Sequence, residues 1–496
     1  MKSRWIYLTV ILAFTFTSCN DWLDVKPETE TDAKEMFDTE SGFKDALTSC
    51  YIKMNSTDVY GKRLTMTDIE YLAQHWDLSR DHFKNELKFK NFEYEEDYAK
   101  STLSAIYGGL YNVISQANII LTNIPAHKNT IKKPALRAVI EGEALAIRAF
   151  CHLDILRLFG QIPQKATKQV MLPYAETVSV QAIPYYSLDD FVSLIIRDID
   201  AAEVLMKDND PLFKYSYAEL DNFSNVKNSE VVLDDNFLGY RRFRFNYYAL
   251  KAMKARLYMY LGNKEKANEF AKEVINALDK KGDKMLTLAG AADFTAKNFS
   301  LPSECILALS NFEISKNTED LFSAKSQGLF LTKKHFEKDL FVGQAVSGNN
   351  RALNVWNTNA DIHGEIKPVI KKYDQPGADE NFNTNTLATS KQVIPLIRLS
   401  EMYLIAIETA PSLTDANALY DEYMRARNVS GTPLTEMTLM EEIIREYRRE
   451  FFAEGQMFYT YKRLGVAKLL WKTDREVGEN DYVAPLPTTE MNVNQK

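Results

Sequence analysis

Aromatic side chains set among amides and charges are the residues of this chain whose types and spacing could do chemistry. Sugar rings present C–H faces that stack on indole and phenol rings, and a binder needs such platforms beside hydrogen-bonding neighbours. Of five Trp, Trp76 lies in Gln74-His75-Trp76-Asp77 and Trp356 in Asn354-Val355-Trp356-Asn357. Tyr373, in Lys371-Lys372-Tyr373-Asp374, is a third of the same kind. These three are the expected ligand contacts; the plainer alternative is that each packs a loop onto a scaffold. Trp5 and Trp22 fall near the N-terminus, and Trp471 falls in a C-terminal apolar patch.

Catalytic patterns are scarce. There is no G-x-S-x-G, H-E-x-x-H, Walker A or G-x-G-x-x-G. Among six His only His75 and His82 are close, and they read as ordinary polar surface rather than as metal ligands, since Asp77 and Asp81 fall on other faces. Asp208-Asn209-Asp210 lacks the glycine and distal glutamate of a calcium loop. With 68 acidic residues, adjacent pairs such as Asp234-Asp235 identify no glycosidase site. Arg448-Arg449-Glu450 reads as a solvated or salt-bridged helix face, and Arg148 with His152 as groups satisfying polar atoms between packed helices. The expectation is a binding protein, not an enzyme, with no metal and no cofactor.

The N-terminus reads as an export signal. Lys2 and Arg4 precede an uncharged, mostly apolar run from Trp5 to Phe16, and Ser18 stands directly before Cys19. Twelve helical residues span only about 18 Å, short of the roughly 30 Å hydrocarbon core. A cysteine at the cleavage point turns a signal peptide, residues 1–18, into a lipoprotein signal with Cys19 as the lipid attachment site. Residues 19–38 then form a lipidated tether. Removal of Lys2 and Arg4 takes the formal charge from −8 to −10, which disfavours nucleic acid as a partner. Cys50, Cys151 and Cys305 remain, too far apart for a framework; Cys50 and Cys151 read as small buried hydrophobes.

The body, residues 39–496, reads as one mainly α domain, for 45% apolar and 12% aromatic content fills a large core and no Pro/Gly/Ser-rich linker divides it. Phe43, Ala46, Leu47, Cys50, Tyr51 and Met54 keep helical spacing. Ile106, Leu110, Val113, Ala117, Ile120 and Ile124 mark a second helix, expected to stop at Pro125. A third, from Pro134 to Phe159, has a broad apolar band and ends at Gly160. Phe191, Ile195, Ile199, Ala202 and Met206 line a fourth, capped by Ser187 and Asp190. Tyr247–Leu261 and Lys264–Leu278 form a tetratricopeptide-like hairpin about Gly262-Asn263, with Ala255 and Ala267 at the crossing. Residues 398–410 and 415–428 suggest another pair, and a last helix starts at Thr438 with a Glu441 capping box. The repeat is irregular. A loop-rich, partly β insertion of residues 283–394, together with residues 60–98, is where a binding surface is expected.

These residues resemble the SusD/RagB family of outer-membrane nutrient-uptake lipoproteins. Four ordered blocks carry the resemblance: Cys19-Asn20-Asp21-Trp22-Leu23-Asp24-Val25-Lys26-Pro27-Glu28 with Phe37–Phe43; Glu143–Phe150 through Leu158-Phe159-Gly160; Ile394–Tyr403; and Arg448–Phe451 with Glu454-Gly455-Gln456 and Tyr461–Leu464. The resemblance implies a SusD-like fold, an outer-membrane, surface-exposed location through the lipid anchor, and capture of an oligosaccharide. It also implies a partner, a SusC-like TonB-dependent barrel over which the protein sits as a lid. A peptide ligand is the alternative within the same system, and a surface hydrolase or a scaffold for other surface proteins are rival classes.

Overall fold

The structure, a computed structural model, describes residues 35–493 except 80, 165, 180, 224–229, 323–327, 363 and 374–391. The proposed lipid site Cys19 and the tether around Trp22 lie outside the described residues.

Helices dominate because the apolar spacing is helical over long stretches. They are α1 (Glu40–Met54), α2 (Asp68–Leu72), α3 (Lys84–Lys90), α4 (Asp97–Ala126), α5 (Pro134–Phe159) and α6 (Leu188–Met206), then α7 (Tyr247–Leu261) and α8 (Lys264–Ile275). The C-terminal part adds α9 (Leu399–Glu408), α10 (Leu413–Ala426), α11 (Leu439–Glu450) and α12 (Met457–Leu464). Successive helices pack as pairs, α4 on α5, α5 on α6, α7 on α8, α8 on α9 and α9 on α10, so each buries the apolar stripe of the next. The expected face of α4 is buried from Ile106 to Ile124, and α5 is buried almost all round. Among the described residues no helix is long and apolar enough to cross a membrane.

Local chemistry sets several boundaries. Ser187 accepts the Asp190 N–H and starts α6, as its spacing suggested. Gly262, at φ 78°, ends α7 in the left-handed conformation, and Asn263 accepts the Lys266 N–H to open α8. α4 does end beside Pro125, at Ala126, since the missing N–H and the ring of Pro125 keep the helix from running further. Elsewhere boundaries differ from expectation, as in α8, which ends at Ile275 rather than Leu278. Thr438 makes no side-chain cap, because its hydroxyl instead accepts the Thr435 N–H.

The insertion contains one substantial ladder, β1 (Cys305–Ser310) antiparallel to β2 (Val393–Arg398), buried on nearly every residue. Smaller ladders pair residues 356–357 with 369–370 and 361–362 with 365–366. A buried ion network seats the insertion on α11. Arg351 reaches Glu446 at 2.6 Å and Glu450 at 3.2 Å, and Lys372 pairs with Glu454. Arg398 and Arg427 close on Glu450 from the other side at 2.7 and 2.9 Å. Of the two readings of the Arg448-Arg449-Glu450 triplet, the salt-bridged one holds and the solvated one does not: all three are at most 6% exposed, with Arg449 and Glu450 in ion pairs. Charges this deep persist only where each is paired and hydrogen-bonded. Arg148 and His152 do act between packed helices, Arg148 on Asp198 at 2.6 Å and His152 Nε2 accepting the Ala175 N–H. Cys50, Cys151 and Cys305 are all free and buried.

Candidate functional site

The three expected ligand aromatics come together, but inside the protein. Trp76 and Trp356 are 1% and 2% exposed with ring centroids 6.4 Å apart, and both meet Phe452 edge-on, at 4.7 and 5.1 Å. Tyr373 is fully buried; its ring lies 6.2 Å from Phe322, which also packs on Trp76, and its hydroxyl donates to the Ala453 carbonyl. The Trp76 indole N–H is spent on the Met66 carbonyl. None of the three presents a ring face to solvent, so the stacking expected of them is not open in this arrangement. Their neighbours in sequence are polar, yet each ring points to the one apolar centre that anchors the insertion. His75 differs from expectation in the same way: it is fully buried, with Nδ1 bonded to Glu70 at 2.5 Å.

Beside this cluster lies a cleft of about 310 Å³. Its walls are Gln74, residues 76–79, the end of α3 (Leu87, Lys90, Asn91), His335, and residues 471–474. Trp471 lines this cleft and is the indole that sequence reasoning set aside. It is half-buried, stacks on His335 with centroids 4.9 Å apart, and donates its indole N–H to Asp339 at 2.8 Å. His335 and Asp339 both come from one π-helical segment, His335–Leu340, a local winding found often at functional sites. Polar Lys472-Thr473-Asp474 follow Trp471, but like company around Trp76 surrounds a buried ring, so no local signal separates the two.

Cations and amides complete the walls. The Lys90 ammonium donates to the Trp76 and His75 carbonyls at 2.6 and 3.3 Å, while Gln74 donates to the Lys90 carbonyl. Burial draws the Lys90 pKa down to about 8, with Asp77 opposing the shift and Lys472 adding to it. Lys472 pairs with Asp474 at 2.9 Å, and Asp77 accepts the Ser79 N–H. Burial also lowers the pKa of His335, which favours a neutral ring behind Trp471. Donors and acceptors of both signs beside one indole suit a hydroxyl-rich ring.

The backbone here is strained. Gln74, Trp76, Phe92, Ala453 and Trp471, all around the cleft or its supporting cluster, have φ between 58° and 68°. Each such residue costs on the order of 1 kcal/mol, and such strain concentrates at ligand-holding sites.

Helix pairs carrying one loop-rich insertion define a mainly α, SusD-like fold, with a polar cleft where the first irregular segment meets the C-terminal one. Comparisons agree. A family model described as starch-binding and associating with the outer membrane matches residues 21–216, and the SusD family model matches residues 342–496. The chain belongs to the SusD/RagB family. Two SusD-like proteins of Formosa agariphila are 25% identical over 210 residues and 24% identical over 263. These matches cover 41% and 53% of this chain but only 38% and 43% of the relatives, so the chain spans about 40% of the length of the curated relatives it matches. Among solved structures, a SusD superfamily protein from Bacteroides vulgatus superposes with a TM-score of 0.69 at 20% identity, covering 92% of this chain and 98% of that one. A SusD-like carbohydrate-binding protein from the same species gives 0.67 at 17%, with 92% and 97% covered. A laminarin-binding SusD-like protein gives 0.62 at 16%, with 92% and 98% covered. At these identities the likeness establishes the fold.

Proposed function

We propose that this protein is a non-enzymatic, surface-exposed nutrient binder that captures an oligosaccharide in the Trp471 cleft. It then delivers the ligand to a SusC-like TonB-dependent barrel. The observation that carries the binding role is the indole of Trp471, backed by His335 and bordered by Lys90, Asn91, Lys472 and Asp474. The family's described association with starch and with the outer membrane supports the substrate class and the location. Similarity to a laminarin-binding protein supports a glycan over a peptide. Lipidation at Cys19 would hold the body at the membrane, so that ligand captured by a tethered lid meets the barrel at high effective concentration.

A protein partner has separate support. A second concavity, of about 400 Å³, lies between α1 and residues 237–244 and is lined mainly by apolar side chains. Ile52 and Phe312 on its rim are each 65% exposed, apolar side chains that a partner could cover. We assign this patch to the barrel.

The binding role is tested by calorimetric titration of purified protein against starch, laminarin, xylan and pectin oligosaccharides and a panel of peptides. At least one saccharide should bind, and Trp471→Ala should weaken it about tenfold or more, as expected for removing a stacking platform. Binding of peptides alone, or equal affinity in the variant, refutes the reading. Sustained turnover of any panel member would restore the hydrolase alternative.

A further inference from the structure

Beneath the cleft, one carboxylate gathers three hydrogen bonds from two separate strained turns. Glu70, on α2 and fully buried, accepts from His75 Nδ1 at 2.5 Å, from the Ala453 N–H at 3.0 Å and from the Gly455 N–H at 2.8 Å. The first turn holds Gln74 and Trp76 at φ 65° and 58°; the second holds Ala453 and Gly455 at 63° and 74°. Left-handed backbone at three non-glycine positions is not self-sustaining, so some partner must hold both turns in place. Gly455 leaves no slack: a Cβ there would stand 2.0 Å from the Leu64 carbonyl oxygen.

The consequences reach the cleft wall. Among the described residues His75 Nε2 has no hydrogen-bond partner, so the Glu70 bond orients the imidazole together with its stacking on Phe452, at 4.1 Å and 9° between planes. Phe452 in turn meets Trp76, and His75 meets the edge of Trp471 at 6.2 Å. The His75 and Trp76 carbonyls are the acceptors that hold the Lys90 ammonium.

We propose that Glu70 is the positioning residue of the binding cleft, locking residues 74–76 to residues 453–455 and thereby setting the places of Trp76, Lys90 and Trp471. No ligand contact is assigned to it. The inference rests on the cleft being the ligand site, yet it concerns geometry that exists without ligand. Glu70→Gln keeps the size of the side chain but sets an NH₂ group against a backbone N–H, so at least one of the three bonds is lost.

The test is fluorine NMR of protein labelled with 5-fluorotryptophan, recorded without any saccharide, the resonances being assigned by Trp→Phe variants. In Glu70→Gln the Trp76 and Trp471 resonances should shift. His75→Leu, which removes one bond and leaves the two backbone bonds, should shift them too. His75→Asn, whose amide nitrogen takes the place of Nδ1, should restore them. Leu47→Ala, a core truncation in α1, serves as a control that lowers stability and leaves both resonances in place. Unmoved resonances in folded Glu70→Gln and His75→Leu, or equal movement in Leu47→Ala, would overturn the proposal. Loss of the fold in both variants would overturn it as well, by assigning Glu70 to global stability. Failure of Trp471→Ala to weaken saccharide binding would sink the ligand reading and leave these shifts untouched, so the two failures are distinguishable.

Discussion

Glu446 and His152 show how buried charge shapes this molecule at the scale of single residues. Burial alone would raise the Glu446 carboxyl, but Arg351 and Arg449, at 2.6 and 2.5 Å, outweigh it and hold the pKa at about 2. A carboxylate depressed in this way stabilises the fold fully above its unfolded value near 4.5, and that contribution is lost as pH falls toward 2. His152 acts earlier. Burial lowers its pKa to about 3, so below its unfolded value near 6.5 the unfolded chain takes up a proton that the native state refuses. Both signs agree: stability falls with acid, first between pH 6.5 and 3 through His152, then below pH 4.5 through Glu446. Urea midpoints measured from pH 7 to pH 3 should decline throughout that range. Glu446→Gln should cost about 1–3 kcal/mol at pH 7, since it takes the shared carboxylate from two buried cations and leaves Arg351 to Glu450 and Arg449 to Glu442. It should also remove the Glu446 part of the acid limb, and a variant as stable as the parent would show that the network is not needed.

At the scale of elements, caps here do more than end helices. Asn246 opens α7 by accepting the Ala249 N–H, and its Oδ1 also accepts the Tyr217 hydroxyl. Its amide nitrogen donates to the carbonyls of Arg241, Arg244 and Ile306, which ties α7 to β1. By capping rules alone aspartate would serve as well as asparagine. With three carbonyl oxygens facing Nδ2, Asn246→Asp should instead destabilise by about 2 kcal/mol or more, read from thermal or urea unfolding. A neutral result would reduce Asn246 to an ordinary cap. The pairing of α7 with α8 was legible in the chain because Gly262-Asn263 and the small Ala255 and Ala267 are local signals, and both alanines are buried. The β1–β2 ladder was not legible as a pair, since its strands are separated by more than eighty residues and joined only by tertiary register.

For the whole molecule, the tether and the partner are the predictions. Cys19→Ala should release the protein from the outer-membrane fraction while leaving far-UV circular dichroism unchanged; continued sedimentation with membranes would contradict lipidation. Gentle detergent extraction of tagged protein should bring down a TonB-dependent barrel in near-equal amount, and Ile52→Glu with Phe312→Glu should reduce that recovery. Recovery unaffected by the double variant would move the interface elsewhere on the surface.

Helical class, most helix boundaries and the family resemblance were determined by the sequence itself. They rest on spacing and turn chemistry that act over a few residues, as at Ser187, Gly262 and the α4 face. What only the tertiary structure decided is which aromatic rings face inward. Trp76 and Trp356 have polar neighbours in sequence but meet Phe452, and Tyr373 packs on Phe322 and bonds the Ala453 carbonyl, whereas Trp471, placed in an apolar patch, meets His335 and lines the cleft. Polar neighbours do not fix where a ring points: Gln74, His75 and Lys372 are themselves buried beside these rings. In the same way Arg448-Arg449-Glu450 is buried because Arg351 and Arg398 arrive from distant segments to join its network. Burial of charge depends on partners that only folding assembles.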